Sequence, residues 1–324
     1  MNESFAAPVV SVVIPCFNAE TTITDAIRSV QAQSLSNVEI IIVDDCSTDA
    51  SRTVVEQEAA ADPRVRLLAQ LRNGGPAAAR NRGFELARGK WVALLDADDL
   101  YHSDRLASLV AIAERRNADI VADGQSIVDI DGTVSPQSAF DFAAPGETIE
   151  VTRAFFFDHI WVNNGHYPVG LLKPIFRRDF VAQHKLAYDA KHRIGEDFLF
   201  YLDNVLAGAS FYFTGDETYV YRQHSSSLSQ PSSAKFIELA NMCDDIVRTR
   251  ALLLDSHAIE MLGRRKQGAL QMARNLQRRE LRELRRDRGA RAVIGFTLRN
   301  PRTAFGILKT SLMWRLAPKN RRSA

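Results

Sequence analysis

The chain has 324 residues, 46% hydrophobic and 25% charged, which suits one large globular domain or two smaller ones and excludes a disordered or fibrous chain. Its net charge of +2 conceals an asymmetry: from Arg264 onward there are 18 Lys and Arg against 3 Asp and Glu, so residues 1–263 carry a net charge of −13. An acidic body with a basic tail argues against a nucleic-acid binder, since no nucleic-acid motif accompanies the charge. Three cysteines without metal-ligand spacing fit a reducing cytosol. The opening residues predict no secretory signal, and no apolar run approaches the roughly 18 residues of a membrane span.

Val9–Ile14 is β-branched and predicts a buried strand ended by Pro15. Ile23, Ala26, Ile27 and Val30 follow at helical spacing. A second buried strand, Val38–Val43, runs into Asp44 and Asp45, and a helix to about Ala61 comes after it. Val65–Leu68 predicts a third strand. Asn73-Gly74-Gly75-Pro76 then makes a turn in which Pro76 opens a helix to Arg88, with Gly89 as its cap. Arg80 and Arg82 lie in the early turns of that helix, where they serve either as phosphate partners or as surface arginines. Trp91–Leu95 predicts a fourth buried strand that ends in Asp96, Asp98 and Asp99. Carboxylates crowded at the end of a buried strand repel unless a cation offsets them, and Mg²⁺ or Mn²⁺ is the expected one. The alternation implies a doubly wound, mostly parallel α/β sheet, whose ligands bind beyond the carboxyl ends of the strands.

Ser11-Val-Val-Ile-Pro-Cys-Phe-Asn18, Ile42-Val-Asp-Asp-Cys-Ser-Thr-Asp49, Asn73-Gly-Gly-Pro-Ala-Ala-Ala-Arg-Asn-Arg-Gly83 and Leu95-Asp-Ala-Asp-Asp99, in this order, resemble the signatures of family 2 glycosyltransferases of the GT-A (Rossmann-like) fold. The resemblance spans roughly residues 8–230. It implies a nucleotide-diphospho-sugar donor, usually UDP-linked, and a divalent metal. It further implies that Asp45, with Asp44 close by, meets the base and that Pro15 lies by the nucleotide through its backbone. Asp96 then faces the ribose or the metal shell, and Asp98 is the metal ligand.

Ala107–Arg116 predicts a helix and Asp119–Ala122 a strand, with a hairpin turn at Asp129–Gly132 and a surface loop over residues 133–150. The Phe155–Phe157 run is expected to pack, whereas Trp161, near Asn163, Asn164 and His166, is a candidate for the acceptor site. Gly195-Glu196-Asp197 opens an apolar helix. Acids at a helix start commonly answer the dipole. In the resembled family the acid pair at this place supplies the base that deprotonates the acceptor hydroxyl, which here is Asp197 with Glu196 as the alternative. Phe211–Phe213 and Tyr219–Tyr221 predict two short strands. Tyr221-Arg222-Gln223-His224 resembles the family's segment over the donor phosphates: His224 would ligate the metal or bond the diphosphate, and Arg222 would pair with phosphate or order the base.

The predicted organisation is a nucleotide-sugar half over 8–125, an acceptor-binding half over 126–230, and a helical basic extension over 231–324. The extension predicts a helix from Ala234 to about Leu262. A basic stretch from Arg264 to Arg291 follows, and then a face of Phe305, Leu308, Leu312 and Leu316 with Trp314 beside it. This composition suits a helix lying on an anionic membrane, or a hairpin packed on the acidic body. The resemblance extends to bacterial exopolysaccharide enzymes, including those of succinoglycan assembly. That implies an inverting transfer to a saccharide, expected to be lipid-linked, at the inner face of the cytoplasmic membrane. A nucleotidyltransferase would carry a Gly-rich basic loop after the first strand, where Pro15-Cys16-Phe17-Asn18 stands. A haloacid-dehalogenase-type phosphatase would place its Asp-x-Asp there. A catalytically inactive scaffold would have no need of both Asp98 and Asp197.

Overall fold

The structure, a computed structural model, describes residues 7–129, 131–135, 140–161, 167–223 and 231–299, and of residues 281, 284, 285 and 287–299 the backbone alone. The chain divides into two compact units, residues 1–228 and 229–324.

The first unit begins with β1 (Val10–Cys16), α1 (Ile23–Gln31), β2 (Val38–Asp44), α2 (Ser51–Ala61), β3 (Val65–Ala69), α3 (Pro76–Leu86) and β4 (Trp91–Leu94). It continues with β5 (Leu100–Tyr101), α4 (Arg105–Arg116), β6 (Ile120–Val128), β7 (Thr148–Glu150), α5 (Arg153–Asp158), β8 (Ile175–Arg177), α6 (Arg178–Gln183), α7 (Glu196–Leu206) and β9 (Phe211–Arg222). The strands form one sheet in the order β3-β2-β1-β4-β8-β6-β9-β5, with β7 beside β9. The block β3-β2-β1-β4 is wholly parallel. β8 then runs antiparallel between β4 and β6, and β9 lies parallel to β6 with β5 and β7 antiparallel to it. This is the α/β, Rossmann-like arrangement of alternating strands and helices that the sequence predicts.

The core follows from the strand sequences. Val10, Val12, Val13, Ile14, Ile40, Ile42 and Val43 are fully buried, as is the inward stripe of α1. Each contributes about 1.5–3 kcal/mol by leaving water. Pro15 does not end β1 but lies inside it, in register with Val43. The reason is directional. Leu95 N–H donates to the Val13 carbonyl on the β4 side, and pairing with β4 stops at that level. Pro15 faces the same side one step beyond, where its missing N–H costs no ladder bond. Gly89 does not cap α3. A Cβ there would sit 2.6 Å from the Ser11 backbone nitrogen, so glycine lets the chain pass close against β1. The two short strands expected over 211–221 are one strand, because polar residues Thr214–Thr218 continue the ladder on β6 across a bulge at Asp123 and Gly124.

The second unit is a helical hairpin, α8 (Ser233–Thr249) and α9 (Ser256–Arg299). The expected break near Leu262 falls inside α9; the chain turns instead at a 3₁₀ segment, Ala251–Leu253. Ala240, Met242, Cys243 and Ile246 on α8 and Ala258, Leu262, Ala269 and Ala273 on α9 are all buried, and the alanines among them leave room for close helix packing. Lys266 pairs with Asp244 at 2.7 Å across the hairpin. No helix among the described residues is long and apolar enough to cross a membrane. Phe305, Leu308, Leu312, Trp314 and Leu316 lie outside the described residues.

Candidate active site

The parallel block sets the site. β1, β2 and β4 run the same way, so Cys16, Asp44 and Leu94 end at one edge of the sheet, and the loops beyond them carry the acids. The loops after β1 and β2 are tied together. Asn18 and Cys46 adopt left-handed backbone, φ 50° and 66°. Asn18 Oδ1 accepts from Thr48 N–H at 2.8 Å, while the Ser51 hydroxyl oxygen accepts from Ala19 N–H at 2.7 Å. Non-glycine residues hold that conformation only where their surroundings fix it.

Asp44 and Asp45 are both buried. The carboxylate of Asp45 accepts from Gly75 N–H at 2.7 Å, Gly74 N–H at 2.8 Å and Gln70 Nε2 at 2.9 Å. It therefore occupies the amino terminus of α3, where an anion is favoured. Asp44 accepts from Ser47 N–H at 3.3 Å.

The acids after β4 have different partners. Asp96 binds Arg80 Nη2 through one oxygen and Lys173 Nζ through the other, each at 2.9 Å. Burial alone would raise its pKa, but Lys173 and Arg80 outweigh burial and hold it below the usual carboxylate range. Asp99 is fully buried; the Tyr219 hydroxyl donates to it at 2.6 Å and Arg222 N–H at 2.9 Å. Burial, together with repulsion from Asp96 and Asp98, pushes its pKa well up. Asp98 is half-buried. Arg222 donates from Nε to the Asp98 carbonyl and pairs with Asp25 at 3.2 Å, which leaves its buried Nη2 without a hydrogen bond.

Arg80, buried, carries the sequence-distant half of the site. Its Nη1 lies 2.9 Å from Glu196 and 3.3 Å from Asp197, and its guanidinium sits over the Tyr188 ring at 5.5 Å. Lys173 Nζ also binds Asp197 Oδ2, at 2.9 Å. Two cations thus face three carboxylates. The excess negative charge falls on Glu196, whose pKa is raised by burial and then by Asp197. Burial opposes the charge on Lys173 and Arg80, but Asp197 and Asp96 more than reverse this and hold both cations protonated. Asp197 Oδ1 is buried and accepts no hydrogen bond.

Of the sequence candidates, Arg80, Asp96, Glu196 and Asp197 meet in this one cluster. Asp98, Asp99 and Arg222 adjoin one another. Pro15, Asp44 and Asp45 stand at the ends of β1 and β2. Arg82 is on the surface, paired with Glu85 at 2.6 Å. His224, with Asn163, Asn164 and His166, lies outside the described residues. Phe156 and Phe157 are core residues, as the run suggested. Sequence reasoning missed Lys173. Its signal was a single charge inside Gly170-Leu-Leu-Lys-Pro-Ile-Phe176.

No group of three His, Cys, Asp or Glu able to hold a metal occurs among the described residues. Magnesium-type ions need less: one or two carboxylates suffice where substrate phosphates complete the shell. Asp98, a half-buried carboxylate whose backbone carbonyl accepts from Arg222 Nε, is of the donor type such an ion takes.

Residues 11–180 match the model of "Glycosyl transferase family 2". The succinoglycan biosynthesis protein ExoO of Rhizobium meliloti is 34% identical over 261 residues, which cover 81% of this chain and 74% of the relative. S. aureus TarS 1-349, solved in complex with UDP-GlcNAc, superposes with a TM-score of 0.58 at 20% identity, over 86% of this chain and 74% of that one. The mannosyltransferase PcManGT from Pyrobaculum calidifontis, solved with GDP-Man and Mn²⁺, gives a TM-score of 0.54 at 17% identity, over 95% and 83%. At these identities the two structures establish a shared GT-A-like fold.

Proposed function

The chain belongs to glycosyl transferase family 2, and on that footing we propose that it moves a sugar from a UDP-sugar to a saccharide hydroxyl, with inversion at C1, in exopolysaccharide assembly. The observation that carries this reading is Asp197 Oδ1. It is a buried carboxylate oxygen that accepts no hydrogen bond and has Arg80 Nη1 at ion-pair distance, 3.3 Å, on a side chain whose other oxygen is fixed by Lys173. A carboxylate so held can accept the proton of an acceptor hydroxyl as the hydroxyl oxygen attacks C1. Glu196 is the weaker candidate because its Oε1 already accepts a hydrogen bond from Arg80 Nη1 at 2.9 Å.

The donor side uses the first two strand ends. Pro15, Asp44 and Asp45 flank the nucleotide, with Asp45 shaping the Asn73–Pro76 loop against it. Asp96 faces the ribose. Arg222 Nη2 offers a charge-assisted hydrogen bond to the diphosphate. Asp98, with His224 as a further candidate, would hold Mg²⁺ or Mn²⁺, which when bound would supply positive charge to the leaving nucleoside diphosphate. A lipid-linked oligosaccharide is the acceptor of first choice, in keeping with the membrane surface proposed below for the basic extension.

The test is calorimetric titration of UDP with and without Mn²⁺, followed by a transfer assay. Asp98→Ala should abolish the metal-dependent part of UDP binding; undiminished binding with metal would remove Asp98 from the metal. Asp197→Asn should bind the donor normally and transfer about 10²–10⁴-fold more slowly. Near-normal turnover would move the base elsewhere.

The basic extension is assigned to an anionic membrane surface, which makes the protein peripheral at the inner face of the cytoplasmic membrane. Arg279, Arg282 and Arg286 are exposed along α9. Each Lys or Arg near such a surface contributes about 1 kcal/mol. Replacing these three by Gln should weaken sedimentation with phosphatidylserine vesicles by roughly 10²-fold or more and leave neutral vesicles unaffected. Unchanged sedimentation would dissociate the helix from the membrane.

A further inference from the structure

Lys173 has no assigned role, yet its surroundings are unusually determined. Three successive carbonyls at this point each accept a side-chain hydrogen bond from a different element. Gln125 of β6 donates to Leu171 O at 2.9 Å, Tyr201 of α7 donates to Leu172 O at 2.7 Å, and Arg105 of α4 donates to Lys173 O. Arg105 is itself fully buried, bidentate to Asp123 at 2.9 and 2.6 Å and stacked over the Tyr101 ring at 4.3 Å. Pro174 follows and has no N–H of its own to satisfy. The backbone that carries Lys173 is therefore clamped by buried groups from three sides.

The ammonium on this clamped backbone has two partners, and they lie on opposite sides of the proposed reaction. Asp96 is on the donor side and Asp197 is the proposed base; each is 2.9 Å away. An ordinary structural ion pair would need one carboxylate. Two contacts, one to each of two acids whose positions both bear on the transfer, suit orientation, because a shift of about 1 Å in a reacting group costs roughly a hundredfold in rate.

We propose that Lys173 is a positioning residue for sugar transfer: it fixes the Asp197 carboxylate, through Oδ2, at a set distance from Asp96, so that Oδ1 meets the acceptor hydroxyl in line with the bound donor. The inference rests on the reading of Asp197 as base. Lys173 touches neither the sugar nor the hydroxyl; it acts through Asp197.

A double-mutant cycle on the full chain tests this, with UDP titration, donor KM and kcat as readouts. Lys173→Met should bind UDP within about threefold of wild type and keep its donor KM, while kcat falls about 10–100-fold. Lys173→Arg, which keeps the charge, should recover most of that loss. In the Asp197→Asn background, Lys173→Met should slow the residual rate by less than about threefold, because residues that act as a unit are not additive. Full additivity in the double variant overturns the inference and leaves the base assignment standing. An Asp197→Asn enzyme of near-normal rate overturns both. A Lys173→Met protein that loses UDP affinity while keeping kcat also overturns it, since its role would then be donor binding. Should Lys173→Met fail to fold, as judged by circular dichroism, Lys173→Gln with and without Asp197→Asn completes the same cycle. There a Gln-induced loss of kcat must vanish in the Asn background, and its persistence, or the absence of any loss, counts against the proposal.

Discussion

The acids after β2 and the acids after β4 flank the same strand, β1, and leave the sheet at the same edge, yet they are put to different uses. Asp45 spends its carboxylate on backbone: two glycine N–H groups and a glutamine close around it, and the result is a shaped loop at the start of α3. Asp96 spends its carboxylate on two buried cations that reach it from α3 and from the segment before β8, and the result is a charge network that extends to Asp197. Position on the fold fixes where such acids stand. Whatever faces them decides whether they build the site or take part in its chemistry.

The comparison can be broken most directly at Asp45. Asp45→Ala should cost about 3 kcal/mol in denaturant unfolding, because hydrogen bonds to a charged acceptor contribute about 1.5–3 kcal/mol and the glycine N–H groups lose theirs. Asp45→Asn should cost roughly half as much, since one oxygen remains. An Ala variant within about 0.5 kcal/mol of wild type would show that the loop stands without the carboxylate.

A smaller effect sharpens the contrast within the second cluster. Asp96 and Asp99, three residues apart, have opposite shifts. With its folded pKa depressed, Asp96 stabilises the protein above the unfolded value of about 3.9, and this stability is lost as pH falls through the depressed folded value. With its folded pKa raised, Asp99 contributes fully below about 3.9 and loses that contribution as pH rises through the raised folded value. In metal-free buffer, Asp99→Asn should therefore cost under about 1 kcal/mol at pH 4 and gain on wild type as pH climbs toward 9. A constant difference between the two proteins across that range would mean that Asp99 titrates normally.

Much of the first unit was legible because its signals are local. The β-branched runs of β1 and β2 and the 3.6-residue stripe of α1 can each be read within ten residues, and strand alternation then places Asp44, Asp96 and Asp98 at one edge. Glu196 and Asp197 were found through resemblance, since acids at a helix start are ordinary. Lys173 was not found. A buried lysine and a surface lysine look alike in sequence, and β8, the three-residue strand that follows it, is too short to show a period. The single strand over Phe211–Arg222 looks like two in the sequence, because a bulge interrupts its alternation. Arg80 was seen as a candidate for phosphate, but its partners, Glu196 and Asp197, lie more than a hundred positions away.

That separation has a consequence for how the protein is made. Asp45, Arg80 and Asp96 leave the ribosome before Lys173 and well before Asp197. At about 5–20 residues per second, the roughly hundred residues between Asp96 and Asp197 take about 5–20 s to synthesise. During that interval the parallel strands β1 to β4 are already available to pair, while Arg80 has Asp96 as its one carboxylate partner from the cluster. The nascent chain can join Arg80 to Asp96 long before it has Asp197, the proposed base, so the last ion pairs to close are those that hold the proposed base.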